Sequence, residues 1–373
     1  MLAVLHPVFA LTGVVHAIGG PLLPSIVAAS HLNDRQSGLL FLLYFSGTSL
    51  GALLCRTNYA RAMAVGFAAV AAFACCVAAA PWPLLLPSFL LLGVGNGIPM
   101  TGVSLFAGRA IAQRRASALT LLNFTWSAGA LLAPLIAARI LLHHTYRYAY
   151  AALAVAAIIA ALLCALLLRD PPEAAPTPRP HGSGAALGFI AIFAFAAFLQ
   201  VGVENTAAAW LSTFTLRTQH IDTVFAAASA SLYWAGFLAS RGLASLLLLR
   251  AHPALVFRIS VAVAFFSGLT LAAAPSVALR NIAMVFLGVG LAPVFPLLLA
   301  QFFSLARHTS QSRWMLAFAG FGGSVLPWFA GFTSASAGTI RAGILVIPAA
   351  MLAILLILPI AARAVPAHHE VGS

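Results

Sequence analysis

The sequence predicts an all-α polytopic membrane protein in which twelve transmembrane helices form two pseudo-symmetric six-helix bundles. Three observations support this fold class. First, 62% of the residues are hydrophobic and only 7% are charged, whereas about a quarter of the residues in a soluble domain carry a charge. Second, one proline-rich polar stretch separates twelve apolar runs into two sets of six. Third, short patterns of the first set recur in the second.

Each apolar run is long enough for one spanning helix, which needs about 20 predominantly apolar residues. The first six spans are predicted at 4–28, 37–56, 60–80, 83–108, 117–141 and 147–168. The second six are predicted at 187–213, 223–247, 254–274, 278–304, 312–334 and 340–363. No basic region precedes the first run, so we interpret it as a retained span rather than a cleaved signal peptide. Little chain remains for a catalytic domain and no phosphate-binding loop appears, so neither an enzyme nor an ATP-driven pump is predicted.

The polar stretch at 169–184 contains five prolines, which remove backbone donors and prevent a continuous helix. It predicts an N-terminal six-helix bundle at 1–169, a cytoplasmic linker at 170–186, and a C-terminal six-helix bundle with a short tail at 187–373. The bundles share three patterns in the same order, which are 43–47 with 232–236, 92–95 with 287–290, and 132–134 with 325–327. Recurrence at nearly one offset indicates a duplicated six-helix unit.

The chain contains 19 arginines and no lysine, with a formal net charge of +13. The arginines lie mostly at the ends of apolar runs, so the charge indicates membrane topology and not nucleic-acid binding. Twice as many lie in the loops on the side of the termini as on the other side. This bias predicts a multi-pass protein of the inner (plasma) membrane with both termini cytoplasmic. The four cysteines have no metal-ligand spacing, so neither a metal nor a cofactor is predicted.

Glu204 is a lone carboxylate within the apolar run 188–214, whereas the other five acidic residues lie between runs or in the tail. A carboxylate inside the bilayer is costly and usually faces an interior cavity or an ion pathway. Because burial disfavours the charged form, such a group can bind a proton from one side and release it to the other. The alternatives are a structural carboxyl group between helices and an acceptor for sugar hydroxyls that carries no proton.

His16 is the second predicted proton-coupling residue, because it is titratable and lies inside span 1. The offset between the repeated patterns places it opposite Asn205, next to Glu204, so spans 1 and 7 are predicted to present polar groups at one depth. Arg241 lies toward the cytoplasmic end of span 8, roughly 10–15 Å from Glu204 along the membrane normal at helical rise. A direct pair is therefore not expected, and Arg241 is predicted to reach the inner surface or bond carbonyls there.

Polar and aromatic side chains within the spans suit a neutral polyhydroxyl solute. The predicted solute-binding residues are Gln200, Glu204, Asn205, Asn96, Asn123, Trp126 and Trp234. Amides donate and accept hydrogen bonds, which matches sugar hydroxyls, and an indole ring can stack on a pyranose face. The alternative roles are hydrogen bonding between helices for the amides and packing for the tryptophans.

Three stretches resemble a known family. Residues 51–58 read Gly-Ala-Leu-Leu-Cys-Arg-Thr-Asn. They are similar to the Gly-x-Leu-Ala-Asp-Arg-x-Gly-Arg loop of the major facilitator superfamily, with Cys55 in place of the aspartate and Asn58 in place of the second glycine. Residues 201–210 resemble the Gly-x-Glu-x5-Trp pattern of span 7 in its fucose/glucose/galactose permease branch. Residues 290–296 resemble the Gly-x-x-Pro-x-Phe-Pro pattern of span 10 in that branch. With its two six-span halves, the chain resembles the superfamily over essentially its whole length.

The resemblance implies solute transport by alternating access, with sugars as the leading substrate class. The leading hypothesis is a monomeric secondary transporter that imports a monosaccharide together with protons through Glu204. The alternatives are a drug/proton antiporter, which favours a greasier cavity, a sugar uniporter, and a receptor or scaffold, which the lack of an appended domain disfavours. Sodium usually requires several oxygen ligands, and a single carboxylate at depth favours protons instead.

Overall fold

A computed structural model describes residues 1–111, 115–172, 187–248, 250–305 and 309–364 of the chain. Its helices are α1 (Leu2–Ala17), α2 (Gly19–Ser30), α3 (Asp34–Leu54), α4 (Tyr59–Ala79), α5 (Leu85–Ala110), α6 (Arg115–Leu141), α7 (Tyr146–Leu167), α8 (Leu187–Gln219), α9 (Thr223–Leu247), α10 (Pro253–Ala273), α11 (Val277–Leu291), α12 (Val294–Leu305), α13 (Thr309–Ala337), α14 (Ile340–Ile344) and α15 (Val346–Ala364). Most of the predicted linker, 173–186, and the tail from 365 lie outside the described residues.

The predicted all-α membrane architecture is confirmed. Among the described residues, ten helical stretches are long and apolar enough to cross a membrane. The pair α1 and α2 forms one further span, which is bent by 41°. Span 10 consists of α11 and α12, span 11 coincides with α13, and span 12 consists of α14 and α15. Each predicted span therefore coincides with one helix or with one interrupted helix.

Span 1 is interrupted at Ile18 because two prolines follow closely. Pro21 and Pro24 lack the amide hydrogens that would bond to the carbonyls one turn earlier. Gly20, within this bend, lies against α8, where an added Cβ would come within 1.9 Å of the Ala208 carbonyl oxygen. The bend and the glycine together bring spans 1 and 7 into backbone contact.

The duplicated patterns make the same helix contact in each half of the chain. In the first half, a Cβ added to Gly47 or to Gly93 would lie 2.0 Å from a backbone oxygen of the facing helix, α5 or α3 respectively. In the second half, Gly236 and Gly288 form the equivalent contact between α9 and α11, also at 2.0 Å. Small residues permit such close approach of membrane helices. The predicted duplication therefore has a common structural basis in both halves.

We call the surface where α1–α7 meet α8–α15 the seam. It is formed mainly by α3 against α13, α6 against α9, and α2 against α8. The first of these contacts is long: Gly331 lies against the Asp34 backbone at one end, and Gly320 lies against Ser49 at the other. These points are 15 residues apart on α3, about 22 Å at helical rise. The halves therefore stay in contact well past the middle of the membrane.

One ion pair joins the halves at the end of the seam, which we call the Asp34 face and which the predicted orientation places outside the cell. Arg217 of α8 donates to both carboxylate oxygens of Asp34 on α3, at 2.7 and 2.6 Å. Ser334 of α13 donates a further short hydrogen bond to the same carboxylate. Above the pair lies an open cavity of about 720 Å³ whose lining includes Arg35 and Arg341. The contacts close the seam at this face.

We expect Asp34→Asn to destabilise the closed arrangement of this face by about 1–3 kcal/mol, because charged hydrogen bonds are lost. The measurement uses a protein that carries Phe41→Cys, which places a thiol in the closed seam. The Phe41 side chain is only 3% exposed, and its ring centroid lies 6.2 Å from that of Trp210. A membrane-impermeant maleimide should label the introduced thiol faster when Asp34→Asn is added. Arg147→Gln is the control, because Arg147 is exposed at the same face. Equal labelling rates in all three proteins would show that the ion pair does not close the seam.

Candidate functional site

Aromatic rings from both halves meet in the middle of the seam. The ring of His16 on α1 lies 5.2 Å from that of Trp126 on α6, and Trp126 lies 5.9 Å from Trp234 on α9. Tyr233 contacts Trp234 with ring centroids 5.0 Å apart. We call His16, Trp126, Tyr233 and Trp234 the seam cluster. The structure thus brings together three of the predicted site residues and adds Tyr233, which the sequence analysis missed as a site residue.

Three members of the seam cluster carry buried polar atoms that lack a hydrogen-bond partner among the described residues. These atoms are both ring nitrogens of His16, Nε1 of Trp126 and the hydroxyl of Tyr233. Asn205 approaches the His16 ring, as predicted, but no hydrogen bond of good geometry joins them. An unsatisfied buried polar group costs about 1–3 kcal/mol, so several together require an explanation. The cluster can offer donors and acceptors to a polar molecule.

The unpaired hydroxyl of Tyr233 arises from one difference between the repeats. In the first half, the equivalent Tyr44 donates to the Val15 carbonyl and accepts from the Asn96 amide. The pattern around Asn96 recurs in the second half with Leu291 at the corresponding position. Leucine has no amide to donate, so Tyr233 keeps a free hydroxyl. The tyrosine hydroxyl of the repeated unit is therefore hydrogen-bonded in the first half and unpaired in the second.

Glu204 lies on α8 and is partly exposed. Within the described residues its carboxyl group accepts no hydrogen bond and forms no ion pair. It is nevertheless close enough to Tyr233 and Arg241 of α9 for charge interaction. The structure thus agrees with the prediction that Glu204 and Arg241 form no direct pair. The carboxyl group remains available to a proton or to a solute hydroxyl.

Arg241 was predicted to reach the inner surface or to bond carbonyls there, and the structure shows it bonded across the seam to one hydroxyl and one carbonyl of α6. Its Nη1 donates to the Ser127 hydroxyl at 2.9 Å and to the Asn123 carbonyl at 3.4 Å, both on α6. The guanidinium also lies 4.6 Å from the centre of the Phe237 ring and 5.8 Å from that of Trp126. The missed signal is that Arg241 lies six residues from the nearest end of its predicted span, deeper than any other arginine. The structure therefore adds it to the candidate site.

Three of the predicted solute-binding amides donate hydrogen bonds to neighbouring helices of their own half. These bonds run from Gln200 to the Leu291 carbonyl (3.1 Å), from Asn205 to the Gly323 carbonyl (3.0 Å), and from Asn96 to the Tyr44 hydroxyl (3.1 Å) and the Thr12 carbonyl (3.3 Å). Leu291 ends α11, where the helix is interrupted and its carbonyl needs a donor. The structure thus gives these amides the interhelical role that was the alternative interpretation.

Asn123 differs from the other amides because it is exposed. Its side chain donates to the Leu119 carbonyl within α6 at 2.8 Å, and within the described residues it forms no side-chain hydrogen bond to another helix. Its position next to Arg241 places it at the edge of the seam. Of the four predicted amides, Asn123 is the one that can turn toward a solute without breaking a contact between helices.

Comparisons with known proteins agree with this architecture. The model of the Major Facilitator Superfamily matches residues 5–315. Glucose/galactose transporters from two strains of Brucella abortus are 26% identical over 359 residues, which cover 87% of this chain and 85% of theirs. The structure resembles that of a D-xylose–proton symporter with a TM-score of 0.78, at 14% identity over 95% of this chain and 96% of the other. It also resembles the transporter FucP in its outward conformation, with a TM-score of 0.64 at 20% identity over 96% and 98%. The predicted resemblance is confirmed.

We expect Gln200→Ala to destabilise the protein and Asn123→Ala to leave it nearly unchanged, which would distinguish an amide that stabilises the fold from one that is available to a solute. Gln200 is fully buried, and its removal leaves the Leu291 carbonyl without a donor, which should destabilise the protein by about 1–2 kcal/mol. Asn123→Ala should leave stability nearly unchanged, because only a bond within α6 is lost. Thermal unfolding of the purified proteins without solute measures both effects. Equal loss of stability in the two variants would refute the distinction.

Proposed function

The chain belongs to the Major Facilitator Superfamily and is a transporter, and we propose that it carries a monosaccharide across the membrane together with protons. In this proposal residues 1–169 and 187–373 form two bundles that rock about the seam. The solute binds at the seam cluster, and Glu204 carries the proton.

The unsatisfied polar atoms of the seam cluster support a polyhydroxyl solute more than any other observation. The nitrogens of His16 and Trp126 and the hydroxyl of Tyr233 are buried without partners, and sugar hydroxyls both donate and accept. The aromatic rings around them can cover the apolar faces of a pyranose. A sugar would thus satisfy groups that otherwise cost about 1–3 kcal/mol each. The names of the Brucella relatives and of the xylose symporter support the same substrate class.

Proton coupling is supported by the position of Glu204. The carboxyl group lies in the part of α8 that faces the seam cluster, and no arginine pairs with it directly. In low dielectric the neutral form is favoured, so Glu204 binds a proton when the seam opens to the acidic side. It releases the proton when the seam opens to the other side. Coupling follows if the loaded transporter reorients only with the solute and the proton both bound.

We expect Glu204→Gln to abolish proton-driven accumulation of labelled glucose or galactose in proteoliposomes, because a glutamine cannot bind and release a proton. With one proton per solute, a gradient of one pH unit supports about tenfold accumulation, since it corresponds to about 1.4 kcal/mol. The wild-type protein should reach such a ratio only when the gradient is present. The Glu204→Gln protein should equilibrate the sugar but not accumulate it.

Asp222→Asn is a matched control for this experiment. Asp222 is exposed and accepts bonds from the amides of Val224 and Phe225 at the start of α9. Asparagine caps a helix about as well as aspartate, so the control removes a carboxylate without removing the cap. Accumulation by Glu204→Gln at the level of Asp222→Asn would refute proton coupling through Glu204. Equilibration without accumulation by the wild-type protein would instead indicate a uniporter.

The density of aromatic rings at the seam favours export of lipophilic compounds as a second candidate function. Phe41, Phe45 and Phe237 extend the seam cluster on both sides, and three of the amides face neighbouring helices instead of the seam. We expect no resistance to lipophilic cations in cells that express the protein, because the unsatisfied polar atoms would remain without partners. Resistance that Glu204→Gln removes would favour the drug/proton antiporter.

A further inference from the structure

The open cavity at the Asp34 face collects positive charge from both halves of the chain. Three arginines line it, which are Arg35 of α3, Arg217 of α8 and Arg341 of α14. Asp34 is the one carboxylate among the described lining residues. The volume of about 720 Å³ lies within the range of about 300–1,000 Å³ that is usual for small-molecule sites.

Two of the three arginines have hydrogen-bond donors available to a ligand. Arg217 donates to both oxygens of Asp34, whereas the guanidinium groups of Arg35 and Arg341 form no hydrogen bond within the described residues. Arg35 lies over the Phe332 ring of α13, with its Cζ 4.8 Å from the ring centre. This contact crosses the seam and holds the guanidinium group of Arg35 at the junction of the halves.

The carboxylate of Asp34 does not balance the positive charge around the cavity. Arg280 brings a further guanidinium group close to the lining, because it is buried and donates to the Thr218 carbonyl at 2.6 Å, and Thr218 lines the cavity. Asp222, the next carboxylate along the chain, is not among the lining residues and accepts from backbone amides of α9. An excess of positive charge in a cleft attracts anions.

A phosphate group fits this arrangement better than a carboxylate does. Guanidinium groups recognise phosphate oxygens in a bidentate geometry. A phosphate carries about two negative charges near neutral pH and has three strong acceptor oxygens, so it can contact two guanidinium groups at once. Arg35 and Arg341 present such a pair of groups to one cavity.

We propose that the cavity binds a phosphate group that bridges Arg35 and Arg341 and stabilises the closed Asp34 face. Arg35 belongs to the half α1–α7 and Arg341 to the half α8–α15, so both can contact one phosphate only while the halves meet. When the face opens, the phosphate loses one partner. Since a ligand favours the state that it binds more tightly, phosphate favours the closed face. The inference goes beyond the proposed function and does not depend on the transported solute or on the proton site.

Binding of radiolabelled inorganic phosphate to the purified protein tests the site directly. The protein is placed in nanodiscs of phosphatidylcholine, whose headgroup has no net charge, at about pH 8, where phosphate is mostly a dianion. Ionic strength is held constant with chloride. We expect saturable binding that Arg341→Gln weakens about tenfold, because a charged hydrogen-bond partner is lost, and that Arg341→Lys weakens less.

Arg147→Gln is the control for binding, because Arg147 is exposed at the same face but does not line the cavity. It should bind phosphate like the wild-type protein. Absence of saturable binding would overturn the proposal, and so would equal binding by Arg341→Gln and Arg147→Gln. Melting temperatures identify any variant that misfolds, and Arg35→Gln, which should also weaken binding, then replaces it.

Maleimide labelling of Phe41→Cys tests whether phosphate closes the face. At ten times its dissociation constant, phosphate should slow labelling about tenfold, because the closed state is stabilised in proportion to its occupancy. Arg341→Gln should remove this effect. Salt also screens the repulsion between the arginines, so chloride is tested at equal ionic strength. Equal slowing by chloride, or faster labelling with phosphate, would overturn the proposal.

The phosphate group can belong to a dissolved molecule or to a lipid headgroup, and the lipid composition of the nanodiscs distinguishes these sources. Slower labelling by free phosphate in phosphatidylcholine assigns the site to a dissolved phosphate. Slower labelling in nanodiscs that contain phosphatidylglycerol, without free phosphate, assigns it to an anionic lipid. In either case Arg341→Gln should abolish the slowing. Slowing that persists in Arg341→Gln would show that the cavity does not bind the phosphate group.

Discussion

The structure depends on one constraint, which is that polar groups inside a bilayer must find their partners within the protein. Many polar side chains in the spans donate to backbone carbonyls, as the amide nitrogen of Gln200 does at the break between α11 and α12. The same constraint makes the exceptions informative. The unsatisfied nitrogens of His16 and Trp126 and the hydroxyl of Tyr233 lie together in the seam. Single atoms of Asn96, Gln200, Ser212 and Thr213 are also buried without partners among the described residues. The seam cluster is therefore marked by the grouping of such atoms on several neighbouring side chains.

The contacts across the seam are of two physical kinds. Glycine contacts such as that of Gly20 with the Ala208 carbonyl bring two helix backbones close together, and they consist mainly of van der Waals packing, which has little directional preference. The ion pair between Asp34 and Arg217 and the bonds of Arg241 to α6 are directional and can exchange partners. A ligand shifts a conformational equilibrium only by its differential affinity for the two states. The ion pair lies at the Asp34 face, and the bonds of Arg241 lie near the centre of the seam. A proton or a solute that binds one conformational state more tightly than the other can therefore change these contacts.

Much of the fold could be predicted from the sequence, because the length of each apolar run reflects the thickness of the bilayer directly. The repeated patterns also predicted that His16 and Asn205 lie at one depth, which the structure shows. The roles of the amides could not be predicted, because the partner of Gln200 is a carbonyl that becomes free only where the helix is interrupted. The direction of Arg241 could not be predicted either, because its acceptors belong to a helix more than one hundred residues away. The unpaired hydroxyl of Tyr233 could be recognised only when the two repeats were compared in the structure.

The central claim is that Glu204 carries the proton that accompanies the solute. The most direct measurement is solute-driven proton movement into proteoliposomes that start without a pH gradient, followed with an external pH indicator. We predict that adding glucose or galactose makes the external medium more alkaline with the wild-type protein. We predict no such change with Glu204→Gln, although that variant still exchanges labelled sugar. Alkalinisation of equal size with Glu204→Gln would contradict the account.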